Sequence, residues 1–62
     1  MTIYEKVKEL AEKQNKSIAG VEKEAAIANG TISGWRSGKP LAETLNKVAR
    51  VLGVSIDYFY QG

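Results

Sequence analysis

Apolar residues recur along this chain at spacings of three and four, the period of helices that bury one face. The stripe nearest the amino terminus consists of Ile3, Val7, Leu10 and Ala11. A second stripe consists of Leu41, Leu45, Val48, Ala49 and Leu52. No stretch alternates apolar and polar residues as a half-buried strand would, so we predict an all-α fold.

Local signals at helix ends divide this pattern into five helices. Thr2 and Glu5 have the spacing of a capping box at the start of the first helix. Asn15 and Gly53 suit the left-handed conformation that ends a helix, and Ser55 can cap a last short one. The predicted helices span residues 2–14, 17–25, 28–37, 41–52 and 55–60. They form one compact domain over residues 1–62, because a chain of this length holds a single small core.

The second and third helices are short and separated by only a few residues. Ser17 caps the second helix, in which Val21 and Ala25 share a face. Ile32 and Trp35 share a face of the third, and this spacing favours a core position for Trp35 over stacking on a ligand. The opposite face of the third helix consists of Asn29, Gly30, Thr31, Ser33, Gly34, Arg36 and Ser37.

This small, polar face is poorly suited to helix stability, since each glycine costs about 1 kcal/mol relative to alanine. The cost suggests a use. Two helices joined by a short turn, the second presenting hydrogen-bonding groups outward, form the helix-turn-helix arrangement, whose second helix enters the DNA major groove.

A longer run of sequence points the same way. The run NGTISGWRSGK, followed by LAETLNKVARVLGVSIDYF, resembles the Cro/repressor (XRE) type of helix-turn-helix regulators from phages and bacteria. The resemblance covers nearly all 62 residues. It implies a repressor-like five-helix domain acting as a sequence-specific transcriptional regulator, typical of a phage or mobile element. It also implies a cytoplasmic homodimer that binds an inverted repeat in double-stranded DNA and needs no cofactor.

Base contacts are expected from the polar face of the third helix. The amide of Asn29 can donate and accept together, which suits adenine, and the hydroxyls of Thr31 and Ser33 can pair with either kind of group. Gly30 and Gly34 bring no functional group and would give clearance for close approach to the duplex. The resemblance implies base contacts at these positions.

Basic residues concentrate where phosphate contacts are expected. Residues 1–25 balance five lysines with five glutamates, whereas residues 26–50 hold two arginines and two lysines against one glutamate. We expect phosphate contacts from Ser17, Arg36, Ser37 and Lys39. Lys39 is the strongest candidate, while a capping role alone is an equal alternative for Ser17. Lys47 and Arg50 are more simply interpreted as solvated surface charges.

The carboxyl-terminal tyrosines are candidates for self-association. Phe59 is predicted to lie in the core, flanked by Tyr58 and Tyr60. The resemblance implies a dimer contact after the fourth helix, so these two tyrosines are expected there. Surface tyrosines without a partner are the alternative.

Three departures from the family pattern carry expectations of their own. Ala26 occupies the turn position usually given to glycine, which predicts a differently shaped turn because a left-handed alanine is costly. Glu22 replaces a small residue and is expected to point to solvent. Ala11 and Arg36 replace an arginine–glutamate ion pair, which would leave Arg36 free to meet phosphate.

Other functional classes fit the composition less well. The chain has no histidine and no cysteine, so the usual nucleophile–base and metal constellations are missing and an enzyme is not expected. No long apolar run predicts a signal peptide or membrane span. The main alternative is a protein-interaction or antitoxin-like module on the same fold. Salt dependence separates the two, because phosphate neutralisation makes DNA affinity fall steeply with salt.

Overall fold

The computed structural model describes residues 2–60; Met1, Gln61 and Gly62 lie outside the described residues. Its four α-helices are α1 (Ile3–Lys13), α2 (Ile18–Glu24), α3 (Ala42–Leu52) and α4 (Asp57–Tyr60), with a single 3-10 turn at Ser33–Arg36. Residues 2–60 contain no strand, so the all-α prediction is confirmed. The predicted count of five helices is wrong, because residues 28–37 do not form an α-helix.

The first two helices begin with the caps that the sequence predicts. The Thr2 hydroxyl accepts from the Glu5 amide at 3.1 Å, and the Glu5 carboxylate accepts from the Thr2 amide at 3.0 Å. The Ser17 hydroxyl accepts from the Gly20 amide at 3.0 Å. Both caps satisfy amides that have no partner within their own helix. The capping box and the Ser17 cap are therefore confirmed.

Left-handed residues end three segments of the chain. Asn15 and Gly53 have φ values of 58° and 74°, as predicted. Ala26 also has φ 58°, so the expectation of a differently shaped turn is wrong. The turn after α2 keeps the conformation a glycine would adopt, at a strain of about 1 kcal/mol for alanine.

One core lies between the helices. α1 packs against the 3-10 turn and α4, while α2 packs against α3. Trp35 is buried, as its spacing from Ile32 predicts. The core consists of Val7, Ala11, Val21, Ala25, Ile32, Trp35, Leu45, Val48, Ala49, Leu52 and Phe59.

Leu41 is an exception to the predicted stripe, because 76% of its surface is exposed. α3 begins at Ala42, and Leu41 precedes it in an extended conformation, with φ −69° and ψ 140°. A residue outside the helix does not follow the helical period. Its side chain therefore does not join Leu45 and Val48 in the core.

Side chains from the α1–α2 connection bind the end of α3. The Gln14 amide donates to the Leu52 carbonyl at 2.8 Å. The Lys16 ammonium lies 3.4 Å from the Val51 carbonyl and 3.2 Å from the Glu24 carboxylate. These bonds satisfy carbonyls that a helix end leaves open and fix α2 relative to α3.

Candidate nucleic-acid interface

The segment 28–37 is a series of turns that ends in one turn of 3-10 helix. The Thr31 amide donates to the Ala28 carbonyl at 3.1 Å, and the Gly34 amide donates to the Gly30 carbonyl at 3.1 Å. Only Ser33–Arg36 is regularly helical. The predicted α-helix over 28–37 is therefore wrong.

Backbone geometry at the start of this segment explains the difference. Gly30 has φ +88°, which an α-helix does not contain, and the glycines at 30 and 34 weaken any helix there. Asn29 lies in a turn before the 3-10 helix, although the predicted helix over 28–37 includes it. Ile32 precedes the 3-10 turn without a side-chain cap.

Glu22 supplies the hydrogen bonds that a side-chain cap would make. Its carboxylate accepts from the Gly30 amide at 3.1 Å and from the Ile32 amide at 2.9 Å. Only 3% of Glu22 is exposed, so the expectation that it points to solvent is wrong. The physical reason is that the buried Ile32 amide needs a partner and that a carboxylate makes strong, charge-assisted bonds to backbone amides.

The residues predicted to contact bases lie along the outer side of this segment. Asn29, Gly30, Ser33 and Gly34 are exposed, and Thr31 is half-buried. A ligand can therefore contact these residues directly at the surface of the protein. The structure thus brings the five predicted positions onto one accessible stretch of chain.

Thr31 has only part of its hydrogen-bonding capacity available. Its hydroxyl donates to the Ala28 carbonyl at 2.6 Å. The proton is therefore committed inside the turn, while the oxygen can still accept. Of the groups that base pairs present in the major groove, the amino groups of adenine and cytosine match that remaining capacity.

The two glycines leave open space beside the backbone. A Cβ atom built at Gly30 or Gly34 would meet nothing within 4 Å. Gly30 is nevertheless favoured by its positive φ, whereas no such value constrains Gly34. Packing inside the protein therefore gives no reason for a glycine at position 34.

Arg36 forms no ion pair within residues 2–60, but Tyr4 of α1 contacts its side chain. Its Nη2 donates to the Tyr4 hydroxyl at 2.9 Å, and its guanidinium carbon lies 4.7 Å from the centre of the Tyr4 ring. Tyr4 supplies a hydroxyl oxygen and an aromatic face rather than a carboxylate. Arg36 is consequently oriented without an ion pair, and its side chain stays exposed.

Three of the four predicted phosphate-contacting residues line one shallow groove. Its lining includes Arg36, Ser37 and Lys39, together with Thr2 and Ile3 at the start of α1. Ser37 and Lys39 are exposed.

Ser17 does not line that groove; it lies at the start of α2. Its side chain is exposed, and its oxygen caps the helix. The capping role predicted for Ser17 is thus present, and a phosphate contact would be additional to it.

Ion pairing separates the cations of this groove from Lys13 of α1 and Lys16 of the α1–α2 connection. Within residues 2–60, the ion pairs join Lys13 to Glu9 at 3.4 Å and Lys16 to Glu24 at 3.2 Å. Neither pair involves Arg36 or Lys39. The charges near the 28–37 segment are therefore available to an anionic partner.

Tyr58 and Tyr60 are partly exposed, at 38% and 56%. Both belong to α4, whose Phe59 is buried, and the Tyr58 ring meets the Phe59 ring edge to face at 5.3 Å. These exposures leave both tyrosines accessible to a second molecule.

Two contributors to this site were missed from the sequence. Glu22 falls four residues after Ile18 and three before Ala25, which is the apolar stripe of α2, so its position carried a signal of burial. The contact between Tyr4 and Arg36 joins residues 32 apart in sequence, and no local pattern predicts it.

Features of other functional classes are not found in residues 2–60. That part of the chain contains no cluster of side chains suited to a metal ion. Every helix within it is too short or too polar to cross a bilayer.

Comparison with known proteins identifies a family and a similar solved structure. The family model described as Helix-turn-helix matches residues 7–59. A solved structure similar to this chain is the crystal structure of the prophage Lp1 protein 11. The two superpose with a TM-score of 0.82 at 30% sequence identity, over 97% of this chain and 83% of that one. No curated protein matches the sequence.

Proposed function

Because the chain belongs to the helix-turn-helix family of the XRE type, we propose that it is a sequence-specific transcriptional regulator that inserts the 28–37 segment into the DNA major groove. One observation carries this proposal. The segment buries Ile32 and Trp35 and exposes Asn29, Ser33 and Gly34 on its other side. The buried side chains thus hold the segment to the core, and the exposed groups are accessible to a ligand.

Base recognition is assigned to the front of the segment. The Asn29 amide reads adenine by donating and accepting together, and Ser33 adds a hydroxyl. Thr31 acts as an acceptor, since its proton is bound to the Ala28 carbonyl. Gly30 and Gly34 allow the backbone to lie close to the base edges.

Phosphate binding is assigned to the groove beside the segment. Lys39 is exposed there, and Arg36 is held ready by Tyr4, so less side-chain entropy is lost when it meets a phosphate. Ser37 lies between them, and Ser17 adds a contact at the start of α2. These contacts set affinity and orientation, while base contacts set sequence preference.

The chain is further proposed to act as a homodimer on an inverted repeat, as a repressor of phage or mobile-element type. The similarity to a prophage protein supports the phage origin. The long axis of the molecule is 25 Å, less than the ~34 Å of one DNA turn, so one copy covers one half-site. Tyr58 and Tyr60 are the proposed contact between copies.

Mutational titrations on a selected duplex test the assignment. We first select bound sites from random DNA and then compare Asn29→Ala, Lys39→Ala and Lys8→Ala. Asn29→Ala should cost about 1–3 kcal/mol at one base pair and relax the preference there. Lys39→Ala should weaken binding to all sequences alike and reduce the slope of log K against log salt by ~0.9.

Lys8 is the matched control, because it is an exposed lysine on α1 that does not line the phosphate groove. Lys8→Ala should leave the salt slope nearly unchanged. A Lys39→Ala variant that altered sequence preference but kept its general affinity would reverse the assignment. Binding to a protein partner with no salt-dependent binding to DNA would favour an interaction module instead.

A further inference from the structure

Glu22 is a charged side chain that the core encloses, and its charge has an unusual pair of partners. Within residues 2–60, neither ion pair includes it. Its carboxylate instead accepts from two backbone amides, those of Gly30 and Ile32. A buried carboxylate is costly unless such bonds compensate for lost hydration, so this arrangement points to a specific use.

We infer that Glu22 is a positioning residue for base recognition, which rests on the proposed function of the 28–37 segment. The two amides it binds lie on either side of Thr31. They are also adjacent in sequence to Asn29 and Ser33. Glu22 therefore fixes the backbone that aims the proposed base-reading side chains.

The segment needs an external anchor because it lacks an α-helical ladder of its own. Its bonds are those of successive turns, and Gly30 at φ +88° interrupts any regular helix. Ile32 and Trp35 hold its apolar side in the core, but packing alone does not fix the peptide planes. The two hydrogen bonds to Glu22 do fix these planes, since its carboxylate accepts from two defined N–H groups at 2.9 and 3.1 Å.

Two conservative variants separate geometry from charge. Glu22→Gln keeps the length but replaces one acceptor oxygen with an NH₂ donor, which faces a backbone N–H. Glu22→Asp keeps the charge but is one methylene shorter and cannot reach both amides. Glu12→Gln is the matched control, since Glu12 is an exposed glutamate that takes part in neither ion pair within residues 2–60.

The experiment compares each variant for affinity toward the selected duplex, a duplex with one changed base pair, and a random duplex. In Glu22→Gln and Glu22→Asp, the preference for the selected duplex should fall about tenfold, comparable to the cost of one mismatched base pair. Affinity for the random duplex and the salt slope should stay within about twofold, because phosphate contacts remain. Glu12→Gln should leave the preference unchanged.

Amide hydrogen exchange, followed by NMR without DNA, gives a second readout. In Glu22→Gln the amides of Gly30 and Ile32 should exchange faster, while the amide of Val48 in α3 keeps its protection. If either variant unfolds, hydrogen exchange in the wild-type protein tests the inference instead. Exchange of the Gly30 and Ile32 amides as fast as that of the exposed Asn29 amide would overturn it.

Failure of the inference and failure of the proposed function give different results. If wild type prefers the selected duplex and Glu22→Gln keeps that preference, the positioning role is wrong and the proposed function stands. If wild type binds no duplex, the proposed function fails, and with it the role of Glu22 in base recognition.

Discussion

At the scale of single residues, Gly34 gives a test of backbone clearance that is separate from folding. A methyl group at this position would enter open space, and the backbone is not left-handed there. Gly34→Ala should therefore keep or slightly raise the melting temperature, since alanine restricts the unfolded chain more than glycine. Affinity for the selected duplex should fall by about tenfold, because the methyl group blocks close approach to a base.

Gly30→Ala is the comparison that isolates backbone strain. Its methyl group also meets nothing within 4 Å, but φ is +88°. Forcing alanine into this conformation costs about 1–2 kcal/mol, and each kcal/mol lowers the melting temperature of a domain this small by roughly 4–8 °C. A Gly34→Ala variant that bound the duplex as tightly as wild type would contradict the clearance role.

At the scale of elements, sequence patterns predicted the scaffold well because helix ends and buried faces follow local rules. The capping box, the Ser17 cap and the left-handed stops at Asn15 and Gly53 all depend on residues within one turn. The α-helix predicted over 28–37 was wrong for the opposite reason. Its conformation depends on Glu22, eight to ten residues away, and on a positive φ at Gly30.

The same distinction applies to the candidate site. Exposure of Asn29 and Ser33 followed from their position opposite Ile32 and Trp35. The orientation of Arg36 did not, because it depends on a tertiary contact with Tyr4.

The capping box of α1 predicts a pH-dependent stability. Hydrogen bonds from the Thr2 backbone amide, and then from the Thr2 hydroxyl, lower the pKa of Glu5 below its ordinary value. The unfolded chain then binds a proton more readily, so the box stabilises the fold at pH values above the ordinary carboxyl pKa. This contribution is lost as the pH falls through the lowered pKa of the folded state.

Thermal unfolding from neutral to acidic pH checks this expectation. Glu5→Gln should lower the melting temperature at pH 7, and the difference from wild type should shrink on acidification. Glu12→Gln changes an exposed carboxylate on the same helix and serves as the control. A difference in melting temperature between Glu5→Gln and wild type that grew as the pH fell would contradict the predicted direction of the pH dependence.

At the scale of the whole molecule, the proposed dimer predicts cooperative binding. Tyr60 is 56% exposed on α4, so Tyr60→Ser should change the surface with little effect on the core. On a duplex with two half-sites one helical turn apart, this variant should bind with reduced cooperativity. On a duplex with a single half-site its affinity should equal that of wild type. Sedimentation of both complexes measures the stoichiometry. Unchanged cooperativity would show that Tyr60 is not part of the dimer contact.

The most direct measurement is an NMR titration of the labelled protein with its selected duplex, in which each backbone amide reports its own surroundings. If the 28–37 segment enters the major groove, the largest shifts should fall on residues 29–34 and on the groove formed by Arg36, Ser37 and Lys39. Amides on the outer face of α1, around Lys8 and Glu12, should change little. Shifts centred on α1 or α4, with residues 29–34 unperturbed, would contradict the proposed DNA-binding surface.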